Sequence, residues 1–192
     1  MKFISIFNDV LGPVMRGPSS SHTAGSYHIG TMVRSLMENH ISGITFTFDP
    51  NGSYGRVYRQ QGVDLAFAAG IMGWKLTDER FFKALEIAAQ QGLEIQFRVA
   101  PLPNADHPNS VQIDAVSPSG EKLSAEAKSI GGGMILFTRL DNWEVELTGK
   151  AYECVVVCET EAETKVKELL LDVDDAVSHP RETGLNKSFL GG

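Results

Sequence analysis

The sequence predicts an α+β fold, a mixed sheet with helices packed on one side of it. Three observations carry that expectation. Segments with helical apolar spacing cluster in the first half of the chain, segments with two-residue alternation fill the second, and tight-turn signals join the latter in succession.

In chain order, residues 2–7 read as a first strand. One Lys and a short apolar stretch are followed by acidic Asp9 with no small-residue cleavage site, which is unlike a signal peptide. Beyond Tyr27 the apolar residues Ile29, Met32, Val33, Leu36 and Met37 recur at helical spacing and predict a helix over 24–39. A strand over 44–48 and a helix over 63–72 come next. A third helix is expected over 78–91, with Thr77 as N-cap, Asp78 and Glu79 in its first turn, and Gly92 past its end. Leu93, Ile95, Phe97 and Val99 then alternate with Glu94, Gln96 and Arg98, the mark of a half-buried strand over 93–99. Strands over 111–117 and 123–130 are joined by Pro118-Ser119-Gly120, a hairpin signal. Alternation or β-branching marks further strands over 134–140, 143–147 and 152–158, and acidic residues open a last helix over 161–171. Residues 172–192 read as a loosely held tail, or one ordered against a partner. The expected organisation is a main domain over 1–150 and a strand–helix extension with a flexible tail over 151–192.

Composition narrows the function classes. The 192 residues are 42 % hydrophobic and 21 % charged, as in an ordinary globular protein. A formal charge of −7 argues against nucleic acid or an anionic membrane surface as partner. No apolar run approaches the roughly 20 residues that a spanning helix needs. Cys154 and Cys158 stand four apart in a Val-rich run. They are too distant along a strand for a local disulfide and too few for a zinc or iron–sulfur site. Structural thiols in a reducing cytoplasm are the expected reading.

The chemistry concentrates in Gly17-Pro18-Ser19-Ser20-Ser21-His22-Thr23-Ala24-Gly25. This run lies where the N-terminus of the first helix is expected, a place of unpaired N–H groups and positive potential. Capping needs one or two hydroxyls. Four, with an imidazole among them, point to a pocket for a small carboxylate plus an acid or base. The bland reading is a surface Ser/Thr loop with a solvated His. Three further clusters accompany it: Asp49 to Ser53, followed by Arg56 and Arg59 as possible carboxylate clamps; His107-Pro108-Asn109; and Ser129-Ile130-Gly131-Gly132-Gly133, where glycines at a strand junction signal a bulge or close backbone approach. One sheet edge could bring all four loops together.

In that order, with Gly52-Ser53 before a Tyr-Arg segment and Asp64, these motifs resemble the beta chain of iron–sulfur-dependent L-serine dehydratase over roughly residues 1–150. The resemblance implies the fold of that beta domain, shared with the regulatory substrate-binding domain of some phosphoglycerate dehydrogenases. It implies a cytoplasmic hetro-oligomer in which a separate alpha chain ligates a [4Fe–4S] cluster, with no metal ligand here. It further implies loss of water from L-serine, giving aminoacrylate and then pyruvate and ammonia. On that basis His22 is the base, and Ser19, Ser20, Ser21 and Thr23 bind the carboxylate. Ser53, Asn109, Gly131 and Gly132 are the secondary substrate-binding candidates. Two departures stand out. The family usually has Lys/Arg-Gly-His-Gly/Ala-Thr-Asp where this chain has Arg59-Gln60-Gln61-Gly62-Val63-Asp64, and residues 152–171 are too few for the ACT domain that often follows. The competing readings are a carboxylate- or amino-acid-sensing regulatory subunit, a lyase for another β-substituted amino acid, and a subunit serving assembly alone.

Overall fold

The computed structural model describes residues 15–150, 153, 155, 156 and 158–173. The strand expected over 2–7, Cys154 and the chain beyond Val173 lie outside them. A π-helical turn, Ser20–Ala24, runs into α1 (Gly25–Leu36) and is followed by β1 (Gly43–Phe48), α2 (Ser53–Val57) and α3 (Val63–Ile71). A 3-10 turn, Glu79–Lys83, leads into α4 (Ala84–Gln90) and then β2 (Glu94–Val99). The strands β3 (Ser110–Val116), β4 (Lys122–Gly131), β5 (Met134–Leu140) and β6 (Trp143–Leu147) follow, and α5 (Glu163–Val173) comes last.

The six strands form one mixed sheet in the order β2-β1-β3-β4-β5-β6. Among the described strands only β1 and β2 pair in parallel, which requires a crossover, and α2, α3 and α4 lie within it. The other pairs are antiparallel, from β1–β3 outward to β5–β6. Alternation sets the two faces. Ile44, Phe46 and Phe48 of β1, Val111 and Ile113 of β3, and Ala125 and Ala127 of β4 point into the core. There they meet Ile29 and Val33 of α1 and Val63 and Phe67 of α3. Thr45, Thr47, Gln112, Ser124 and Glu126 occupy the alternate positions and are partly exposed. The α+β expectation therefore holds.

Helices α1 and α3 cross closely because glycines face each other. A Cβ on Gly30 would lie 2.8 Å from the Phe67 carbonyl oxygen, and one on Gly70 would lie 2.4 Å from that of Tyr27. Helix α1 ends at Leu36 rather than 39 because Glu38 and Asn39 take left-handed backbone angles. Asp78, not Thr77, caps the next helix: its carboxylate accepts from the Arg80 N–H at 2.9 Å and also pairs with the Arg80 guanidinium. Arg80 in turn lies over Trp74, so the cap is tied down from outside the helix.

The short helix α2 is absent from the sequence reading. Gly52-Ser53-Tyr54-Gly55 has the composition of a turn, yet a tertiary contact organises it. The Pro108 carbonyl accepts from the N–H groups of Ser53 (2.7 Å) and Tyr54 (3.3 Å). Asp49 completes the corner by accepting from Asn51 and Leu102 N–H groups, which hold its carboxyl below its ordinary range. The expected strand over 152–158 is not formed at Glu153, Val155, Val156 or Cys158. Glu153 instead accepts from the N–H groups of Thr148 and Gly149, where Gly149 turns with φ 66, and the chain leaves the sheet. Cys158 is a half-buried free thiol.

Candidate active site

The π-helical turn is where His22 is presented. Ser19, in extended backbone, caps it: its Oγ accepts from His22 N–H at 3.3 Å and its carbonyl accepts from Thr23 N–H at 2.8 Å. The imidazole is engaged at both nitrogens. Nδ1 stands 3.0 Å from Ser19 Oγ and 3.2 Å from Ser21 Oγ, while Nε2 stands 2.8 Å from Ser53 Oγ at the start of α2. Residues 31 positions apart thus meet at one ring. Burial lowers the His22 pKa from its ordinary value, because desolvation disfavours the imidazolium. That shift favours the neutral imidazole, the form a general base requires.

The other expected residues divide. Ser20 is half-buried in the same turn, and its side chain makes no hydrogen bond among the described residues. Thr23 is fully buried, and its hydroxyl donates to the Gln61 carbonyl at 2.9 Å and accepts from Ser19 N–H, which ties the turn to the start of α3. Asn109 is 7 % exposed, and its buried Oδ1 has no hydrogen-bond partner among the described residues. It sits between Pro108, which holds α2, and Ser129, whose N–H donates to the Asn109 carbonyl at 3.2 Å. A buried amide oxygen without a partner costs about 1–3 kcal/mol.

The glycine cluster forms the β4–β5 tip. Gly131, Gly132 and Gly133 have φ of 96, 62 and 75, and the register shifts at Ser129/Gly131, giving the expected bulge. A Cβ at Gly131 or Gly132 would meet nothing within 4 Å, so backbone conformation requires glycine at these two positions. The tip reaches the site through Gly133, whose carbonyl accepts from His28 Nδ1 at 2.7 Å beside the start of α1. Arg56 and Arg59 are exposed, with Arg59 over the Tyr58 ring.

Two residues at the site went unread in the sequence: Ser26 and Tyr54, both fully buried. Ser26 lies one helical turn beyond His22, and Tyr54 follows Ser53, so spacing from those two was the available signal. The departures from the family pattern fall outside the hydroxyl cluster. Val63 is fully buried in the main core, and Gln61 meets the turn through its backbone carbonyl. Among the described residues no group of three or more His, Cys, Asp or Glu could hold a metal ion. No helix among them is long and apolar enough to cross a membrane.

No family model matches the chain. It is 40 % identical over 157 residues to the probable L-serine dehydratase beta chain of Bacillus subtilis (strain 168), covering 82 % of this chain and 69 % of that protein. It is 35 % identical over 142 residues to the L-serine dehydratase beta chain of Peptoniphilus asaccharolyticus, covering 74 % of this chain and 63 % of that one. With that identity over most of its length, the chain belongs to the L-serine dehydratase beta chain family.

Proposed function

We propose that this chain is the substrate-activating half of an L-serine dehydratase, working with an alpha chain that carries a [4Fe–4S] cluster. One observation carries the reading: a half-buried imidazole held at both nitrogens inside a ring of serine hydroxyls, where burial lowers its pKa. The relatives' beta-chain names support a two-chain enzyme. Ser19, Ser20 and Ser21 bind the serine carboxylate, and Asn109 Oδ1 accepts from its ammonium group. His22 takes the Cα proton at the nitrogen that Ser53 now faces, and the Ser53 hydroxyl moves aside. The C–H electron pair becomes the Cα=C3 double bond, the C3–O bond breaks, and the leaving hydroxyl takes the proton that His22 received and departs as water. The aminoacrylate that remains tautomerises to an imine, and water releases ammonia and pyruvate.

The test is His22→Ala in the assembled two-chain enzyme, isolated anaerobically. Pyruvate formation from L-serine is expected to fall by at least about 100-fold, at the low end of general-base contributions, while the subunit stays folded. Near-wild-type turnover would remove His22 as the base. Serine binding by the chain with no turnover in any assembly would turn the reading to the regulatory one.

A further inference from the structure

Behind the His22 turn lie two buried hydroxyls that the proton transfer does not use. Ser26 Oγ donates to the His22 carbonyl and stands 2.8 Å from Tyr54 Oη. Tyr54 Oη donates to the Ser21 carbonyl at 3.2 Å. Both side chains are fully buried. The Tyr54 ring meets the His22 ring edge-on, with centroids 5.6 Å apart.

The shape of the turn explains why hydroxyls are needed there. Gly25 N–H bonds to the carbonyls of His22 and Ser20, which passes over that of Ser21. A wide turn of this kind leaves a carbonyl out of the helical ladder, and such turns recur at functional sites. The passed-over Ser21 carbonyl accepts from Tyr54 Oη, and the His22 carbonyl accepts from Ser26 Oγ as well as from Gly25 N–H. A phenylalanine would fill the Tyr54 volume equally well. The hydroxyl contacts are what distinguish Tyr54, and they end on the two residues that place the imidazole.

We propose that Tyr54, acting with Ser26, is a positioning residue for His22: it holds the π-helical turn in the geometry that aims the imidazole at substrate. This rests on His22 being the base. Helix α2 then grips the histidine twice, through Ser53 at Nε2 and through Tyr54 at the ring and the backbone behind it. Burial raises the Tyr54 pKa far above neutrality, so its hydroxyl remains a donor across the working pH range.

The test follows the His22 ring proton by NMR across pH in the full chain, with kcat and KM measured in the two-chain enzyme. Among the described residues the titratable side chain facing His22 is Tyr54 from α2; its other contacts there are the hydroxyls of Ser19 and Ser21 from its own turn and Ser53 from α2. Tyr54→Phe keeps the ring and removes the hydroxyl. His22 is expected to titrate closer to its ordinary value as the loosened ring hydrates. The expected fall in kcat is about tenfold with KM little changed, within the ~100-fold that a 1 Å misplacement can cost. Ser26→Ala is expected to give the same signature, and it decides the matter if Tyr54→Phe does not fold. Tyr27→Phe is the control: it removes a hydrogen bond of 2.8 Å to the Trp74 carbonyl and should leave the His22 titration unmoved. An unchanged titration and kcat in folded Tyr54→Phe would overturn the proposal. Failure of the wild-type assembly to turn over serine would instead fault the base reading, and the titration would still report on the positioning.

Discussion

His22 serves as a base only while neutral, and its surroundings decide where that form exists. Desolvation in the hydroxyl ring pushes its pKa below the ordinary 6.5. The sign for activity is direct: the acid limb of kcat/KM, which reports the free enzyme, is expected below pH 6.5. A limb above 6.5 would mean that a different group titrates. The sign for stability agrees. Below 6.5 the unfolded chain binds a proton more readily than the folded one, so this contribution is complete above 6.5 and is lost as pH falls through the folded value. Thr23 shows the opposite use of a hydroxyl. It stands next to His22 in sequence, yet it faces the interior and ties the turn to Gln61.

At the scale of elements, the site depends on how closely α1 and α3 approach. Gly70 permits that approach, and Gly70→Ala would place a methyl 2.4 Å from the Tyr27 carbonyl and 2.9 Å from the Thr31 nitrogen. Both are backbone atoms that cannot step aside alone. The substitution is expected to destabilise the chain by about 1–3 kcal/mol, the usual range for overpacking, seen as a lower urea midpoint. An unchanged midpoint would show that the helices separate freely. Helix α2 depends on a different kind of contact. With five residues it is too short to be stable by itself, and the Pro108 carbonyl organises its first turn. The loop His107-Pro108-Asn109 therefore bears on His22 indirectly, by fixing the element that carries Ser53 and Tyr54.

At the scale of the whole molecule, the proposed reading makes the site half of an enzyme. The chain purified anaerobically by itself is expected to carry no iron–sulfur chromophore and to form no pyruvate, and both should appear on assembly with the alpha chain. Pyruvate formation by the chain alone would sink that division of labour. The sequence by itself determined the α+β class, the strands from β1 to β6 within a residue or two of their ends, and the polar loops from which the site is built. Those features are written in local periodicity and turn chemistry, which need no partner across the fold. Only the tertiary structure decided which hydroxyls face His22. Ser53 and Ser21 face the ring, Thr23 faces the interior, and Ser26 and Tyr54 stand behind the turn. The π-helical turn rotates successive residues off the α-helical spacing, and α2 forms because a distant carbonyl receives its N–H groups. Neither effect leaves a periodic trace, so orientation at the site followed from packing rather than pattern.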